Sequence, residues 1–67
     1  MQEGIKSNAE IMIRKDIDNL DNSRLAYKVG IIKNDIKYAF WHGFIDEYIY
    51  NELMQNVSNK YNKLCEF

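Results

Sequence analysis

The side chains able to do acid–base or covalent chemistry are few. His42 is the single histidine and Cys65 the single cysteine of the 67-residue chain. A general base needs a partner within hydrogen-bond reach and a third group to orient it. Cys65 falls on the next predicted helix, near its far end, and cannot serve His42. His42, Asp46 and Glu47 are close enough in sequence to share an ion, but their spacing matches no metal-ligand motif. Capping and solvation account for all three. The three glycines are scattered, so no loop is built to cradle phosphate. No catalytic residue, metal ligand or cofactor is expected, and an enzyme is not expected. Cys65 reads as a plain reduced thiol, with an intermolecular disulfide as the functional alternative.

Recognition chemistry is better represented. Tyr38, Phe40, Trp41, Phe44, Tyr48 and Tyr50 crowd one short stretch. Phe40, Phe44 and Tyr50 can fill a turn between two helices. Tyr48 is harder to bury, because its row on a helix contains Glu52, Gln55 and Asn59. Tyr and Trp are enriched where proteins bind one another. The candidate partner-binding residues are Tyr27, Ile31, Tyr38, Trp41 and Tyr48.

The element that must position most of them is Leu25 to Trp41. At about 100° per residue, Leu25, Val29, Ile32, Ile36, Ala39 and Phe40 share one face. Tyr27, Ile31, Tyr38 and Trp41 share the opposite one. A helix apolar on two faces is covered on both, so a second element, a second copy or another protein must meet the aromatic face. Ala26 and Gly30 form a small edge that would permit close backbone approach.

The chain reads as all-α: an antiparallel helical hairpin over about 22–42 and 46–66, plus an N-terminal helix over about 8–20. Met1 to Lys6 are expected to be frayed or extended. Ser7 and Glu10 have the form of a capping box, each bonding the other's backbone. Behind them Ala9, Met12, Ile13, Ile17 and Leu20 line one face, with Glu10, Arg14, Lys15 and Asp18 on the polar side. The stretch DIDNLDNS is poor in helix formers. It favours a break, with Asp21 or Asn22 capping a new helix, over one unbroken helix. Gly43 predicts a left-handed stop. Asp46 predicts a cap, and Ile45 and Tyr50 a hydrophobic staple across it. The last helix carries Tyr50, Leu53, Val57, Tyr61 and Leu64 on its stripe, with Ile49, Met54 and Phe67 at the margins.

Size and charge narrow the classes. One domain spans 1–67. A chain this short has a marginal core, and with no disulfide or metal available, a homo-oligomer or a protein partner is the expected support. Net charge is −1 with both signs interspersed, which argues against reliance on phosphate contacts. Arg24 and Lys28 lie on one edge of the central helix, Lys33 and Lys37 on the other, as solvated flanks do. Nucleic acid is therefore not the expected partner. No apolar run approaches the roughly 18 residues of a membrane span, and the first ten residues lack a signal-peptide core. No membrane association and a cytoplasmic location are expected.

Asn, Ile, Lys and Tyr dominate and proline is absent, the signature of an AT-rich genome. The stretch GFIDEYIYNELM resembles a turn seen in small helical accessory proteins of phages and mobile elements from AT-rich bacteria. Gly43, Ile45, Asp46, Tyr50 and Leu53 carry that resemblance. It implies a protein that binds and blocks a host or defence enzyme, as anti-CRISPR proteins do. Two other functions fit the sequence: a homo-oligomer that sequesters a small ligand between subunits, and a small nucleic-acid-binding regulator.

Overall fold

A computed structural model describes residues 7–65. The expectation for Met1 to Lys6 and the places given to Glu66 and Phe67 lie outside the described residues. Three helices follow one another: α1 (Asn8–Asp18), α2 (Leu25–Trp41) and α3 (Glu47–Cys65). Among the described residues there is no strand. The break between α1 and α2 is real, and the unbroken-helix alternative does not form.

α1 begins at Ser7, whose Oγ accepts from the backbone N–H of Glu10 at 3.1 Å. Only half of the expected capping box is made. The Glu10 carboxylate turns to Arg14, which donates from Nε at 2.8 Å. Arg14 reaches on to α3, where its Nη2 donates to Glu52 Oε1 at 2.8 Å. Glu10, expected on the polar side, is only 6% exposed. Met12, expected in the core stripe, is 64% exposed. Both corrections have one cause. At about 100° per residue Glu10 falls within about 20° of Ile17 and Met12 about 140° from it, so the buried face of α1 holds Glu10 and leaves Met12 outside. Ile13, Ile17 and Leu20 remain buried, with Ala9 packed beside them.

α1 stops at Asp18, two residues before the expected end. Leu20 is buried through a turn in which its N–H donates to the Ile17 carbonyl at 3.1 Å. Lys60 of α3 approaches the Asp18 carbonyl at 3.5 Å, placing a cation at the negative end of α1. α2 starts later than expected, at Leu25. Asp21 does not cap it. Its Oδ1 accepts instead from the Ser23 N–H at 3.0 Å and from Lys28 Nζ at 3.1 Å, a side-chain-closed turn. The cap position falls to Arg24, in left-handed backbone (φ +52°) with no side-chain bond to the helix.

The α2–α3 corner forms as its residue types dictate. Gly43 has φ +78°. Its N–H donates to the Phe40 carbonyl at 3.1 Å, and the Phe44 N–H to the Ala39 carbonyl at 2.9 Å. That pair of bonds is a Schellman motif, and it closes the carbonyls left open at a helix end. Asp46 then caps α3, accepting from the Ile49 N–H at 2.9 Å. Ile45 is buried and Tyr50 packs against the same core.

The core is aliphatic: Ile13, Ile17, Leu20, Leu25, Val29, Ile32, Ile36, Ala39, Ile45, Leu53 and Val57. Leu53, Val57 and Ile36 are its most enclosed members. The Leu25–Phe40 face of α2 therefore does pack with the α3 stripe. Phe40 and Tyr50 pack at its edge with their rings tilted by 33° and centroids 4.8 Å apart. Phe44, expected to fill the turn with them, is 55% exposed instead.

Candidate functional site

No aromatic side chain among the described residues is buried. Rings are large apolar groups and normally dominate a core. Here Phe40 and Tyr50 sit at the margin, and Tyr27, Tyr38, Trp41, Phe44, Tyr48 and Tyr61 are on the surface. The helix spacing explains the segregation. The aliphatic residues of α2 recur on the side facing α3, and its Tyr and Trp residues recur half a turn away.

The candidate residues divide into two groups. Tyr27, Ile31, Tyr38 and Trp41 form one outward stripe along α2, with Trp41 74% exposed. α1 does not cover them. It packs along the neighbouring seam, between that stripe and the core. Tyr48 stands apart, exposed in the first turn of α3. The seam brings in two residues that were given to the core. Met12 and Phe44 line a hollow of about 280 Å³ together with Tyr38 and Ala39. The signal for Phe44 lay in the turn itself. The residue after a helix-terminating glycine packs back on the last turn, over Ala39 in this case. The signal for Met12 lay in its angle, about 140° round α1 from the buried Ile17.

Electrostatics near the stripe is uneven. Lys33 and Lys37 lie along its far edge, and Asp16 and Asp35 lie in the seam. Arg14 is held firmly as a cation chiefly by its hydrogen bond to Glu52, with Glu10 adding to it against the opposing effect of partial burial. His42 closes α2, its N–H donating to the Tyr38 carbonyl at 3.0 Å. Its ring lies 4.1 Å from the Tyr38 ring and 6.2 Å from the Phe44 ring, centroid to centroid. His42 is thus part of an exposed aromatic row. Cys65 is exposed at the end of α3, about 27 Å along that helix from its first residue at 1.5 Å per residue. Among the described residues no three His, Cys, Asp or Glu side chains are placed to share a metal ion. None of the described helices is long and apolar enough to cross a membrane.

Fold and surface together define a three-helix domain with an aliphatic core and an aromatic outer stripe. Comparison with protein-family models, with curated proteins and with solved structures finds no match.

Proposed function

We propose that this protein is a non-enzymatic binding module acting in the cytoplasm, with the α2 stripe as its partner surface. The observation that carries the reading is the outward placement of Tyr27, Ile31, Tyr38 and Trp41 on one face of one helix. Contiguous apolar surface of this kind marks interaction sites, and Tyr and Trp supply large contact area with few rotatable bonds. The resemblance of Gly43 to Leu53 to the turn of small phage and mobile-element proteins gives the biological setting. In that setting the module inhibits or modulates a host or defence protein.

Affinity capture with wild type and with a Tyr38→Glu/Trp41→Glu variant tests the reading. Both positions are exposed, so the variant should keep its helicity and its melting temperature. A partner retained by wild type and lost by the variant is the expected result. The same proteins captured by both would overturn the assignment of the surface.

Self-association is the second reading of the same stripe, favoured by the failure of α1 to cover it. In that form a small ligand would sit between subunits. Sedimentation of wild type and the double variant over a wide concentration range separates the two. An assembly lost in the variant supports self-association, and a wild type that stays monomeric removes it.

A further inference from the structure

The seam between α1 and α2 carries two open hollows. One, of about 240 Å³, lies among Leu20, Lys28 and Ile31. The other is the 280 Å³ hollow at Met12, Tyr38 and Phe44. On α2 their lining residues are offset by seven positions: 28, 31 and 32 against 35, 38 and 39. Seven residues are two helical turns, about 10 Å. Asp16 lines both hollows, and Asp35 lines the second. Neither carboxylate is in an ion pair among the described residues. Lys28 is held by Asp21 at 3.1 Å.

We propose that this seam docks an amphipathic helix bearing apolar side chains at positions i and i+7 and a lysine or arginine between them, at i+3 or i+4. The proposal rests on the protein-binding reading and adds the partner's chemistry. A helix laid along the seam offers anchors at the spacing of the two hollows. A segment added as a β-strand would need a sheet edge, and a seam between helices has none. Each hollow is smaller than the roughly 300–1,000 Å³ of a small-molecule site and open to solvent, which suits a single side chain. The carboxylates select the charge. Covering Asp16 and Asp35 with apolar groups alone would strand them, and a cation between the anchors removes that penalty. A second copy entering by its own Ile31–Tyr38 stretch would bring Asn34 and Asp35 to those positions. It would add a carboxylate where a cation is needed.

A display library of helical peptides randomised on one face, selected against the full chain, reads the preference directly. Enriched peptides should carry apolar residues seven apart with Lys or Arg between. A synthesised winner should bind wild type at least about tenfold more tightly than Asp16→Asn/Asp35→Asn, and more weakly as salt rises. Both aspartates are exposed, and circular dichroism checks that the variant is folded. Winners with Asp or Glu between the anchors, or winners indifferent to the double substitution, overturn the cation-bearing helix and leave the protein-binding reading standing. A selection that enriches nothing over a Tyr38→Glu/Trp41→Glu bait overturns the helix proposal, and the affinity capture then decides the protein-binding reading. A chain that sediments as a dimer, with Met12 and Tyr38 protected from labelling, gives the seam to a second copy and overturns the proposal.

Discussion

Two residues at the α2–α3 corner matter for what they do to the backbone, Gly43 by its own conformation and Asp46 by capping α3 with its carboxylate. Gly43 sits at φ +78° with open space where a Cβ would stand. Gly43→Val is therefore strained by conformation alone, at a cost of about 1–3 kcal/mol. Asp46→Ala removes a cap worth about 1 kcal/mol, and urea midpoints should rank the valine variant lower. Gly30 differs, since it lies in regular helix and an added Cβ meets nothing within 4 Å. No packing within this chain requires it, so Gly30→Ala should stabilise by about 0.4–1 kcal/mol. If that edge meets a partner backbone, the same change will weaken binding while it strengthens the fold. At Asp21, the Lys28 hydrogen bond first and the Ser23 N–H second hold the carboxyl below its ordinary 3.8. A lowered value means the link is fully present above pH 3.8 and is lost as pH falls through the folded value beneath it. The Ser23 amide resonance should report that transition, and Asp21→Asn should abolish it.

At the scale of elements, the Glu10–Arg14–Glu52 chain ties α1 to α3. The Glu10 side chain is 8% exposed and the Glu52 side chain 41%. Arg14→Ala leaves the Glu10 carboxylate without its hydrogen-bonded cation and should cost about 1–3 kcal/mol. Glu52→Ala removes only the exposed arm and should cost under about 1 kcal/mol. Chemical denaturation of the two variants measures the difference. This tie also marks where sequence reading stopped. Gly43, Asp46 and Ser7 were legible because each acts on backbone a few residues away. The α2 and α3 stripes were legible because burial follows helical period. Glu10 was placed on the polar side by its residue type, although its spacing of seven sets it in the row of Ile17; only the Arg14–Glu52 bond had no local signal. The exposure of Met12 follows from its angle within α1, about 140° from Ile17, and was legible in the period. The late start of α2 was hidden for a different reason. Asp21 could cap a helix or close a turn with Ser23, and a lysine one turn into α2 favours the turn.

For the whole molecule the margin is narrow. A domain of this length has about 3–10 kcal/mol of stability. Ile32→Ala and Leu53→Ala each remove a buried side chain at the α2–α3 contact and should cost about 2–5 kcal/mol. Thermal melts by circular dichroism should show either variant largely unfolded or melting far below wild type. Melts that overlay wild type would refute the pairing of those two faces. The optical method matters, because the only indole is Trp41 and it already stands in solvent in the native state. Unfolding hardly changes its surroundings, so its emission is nearly blind to loss of structure. A partner seated on the stripe would desolvate it, and the emission would shift to the blue. The chain thus carries an intrinsic reporter that stays silent on denaturation and speaks on occupancy.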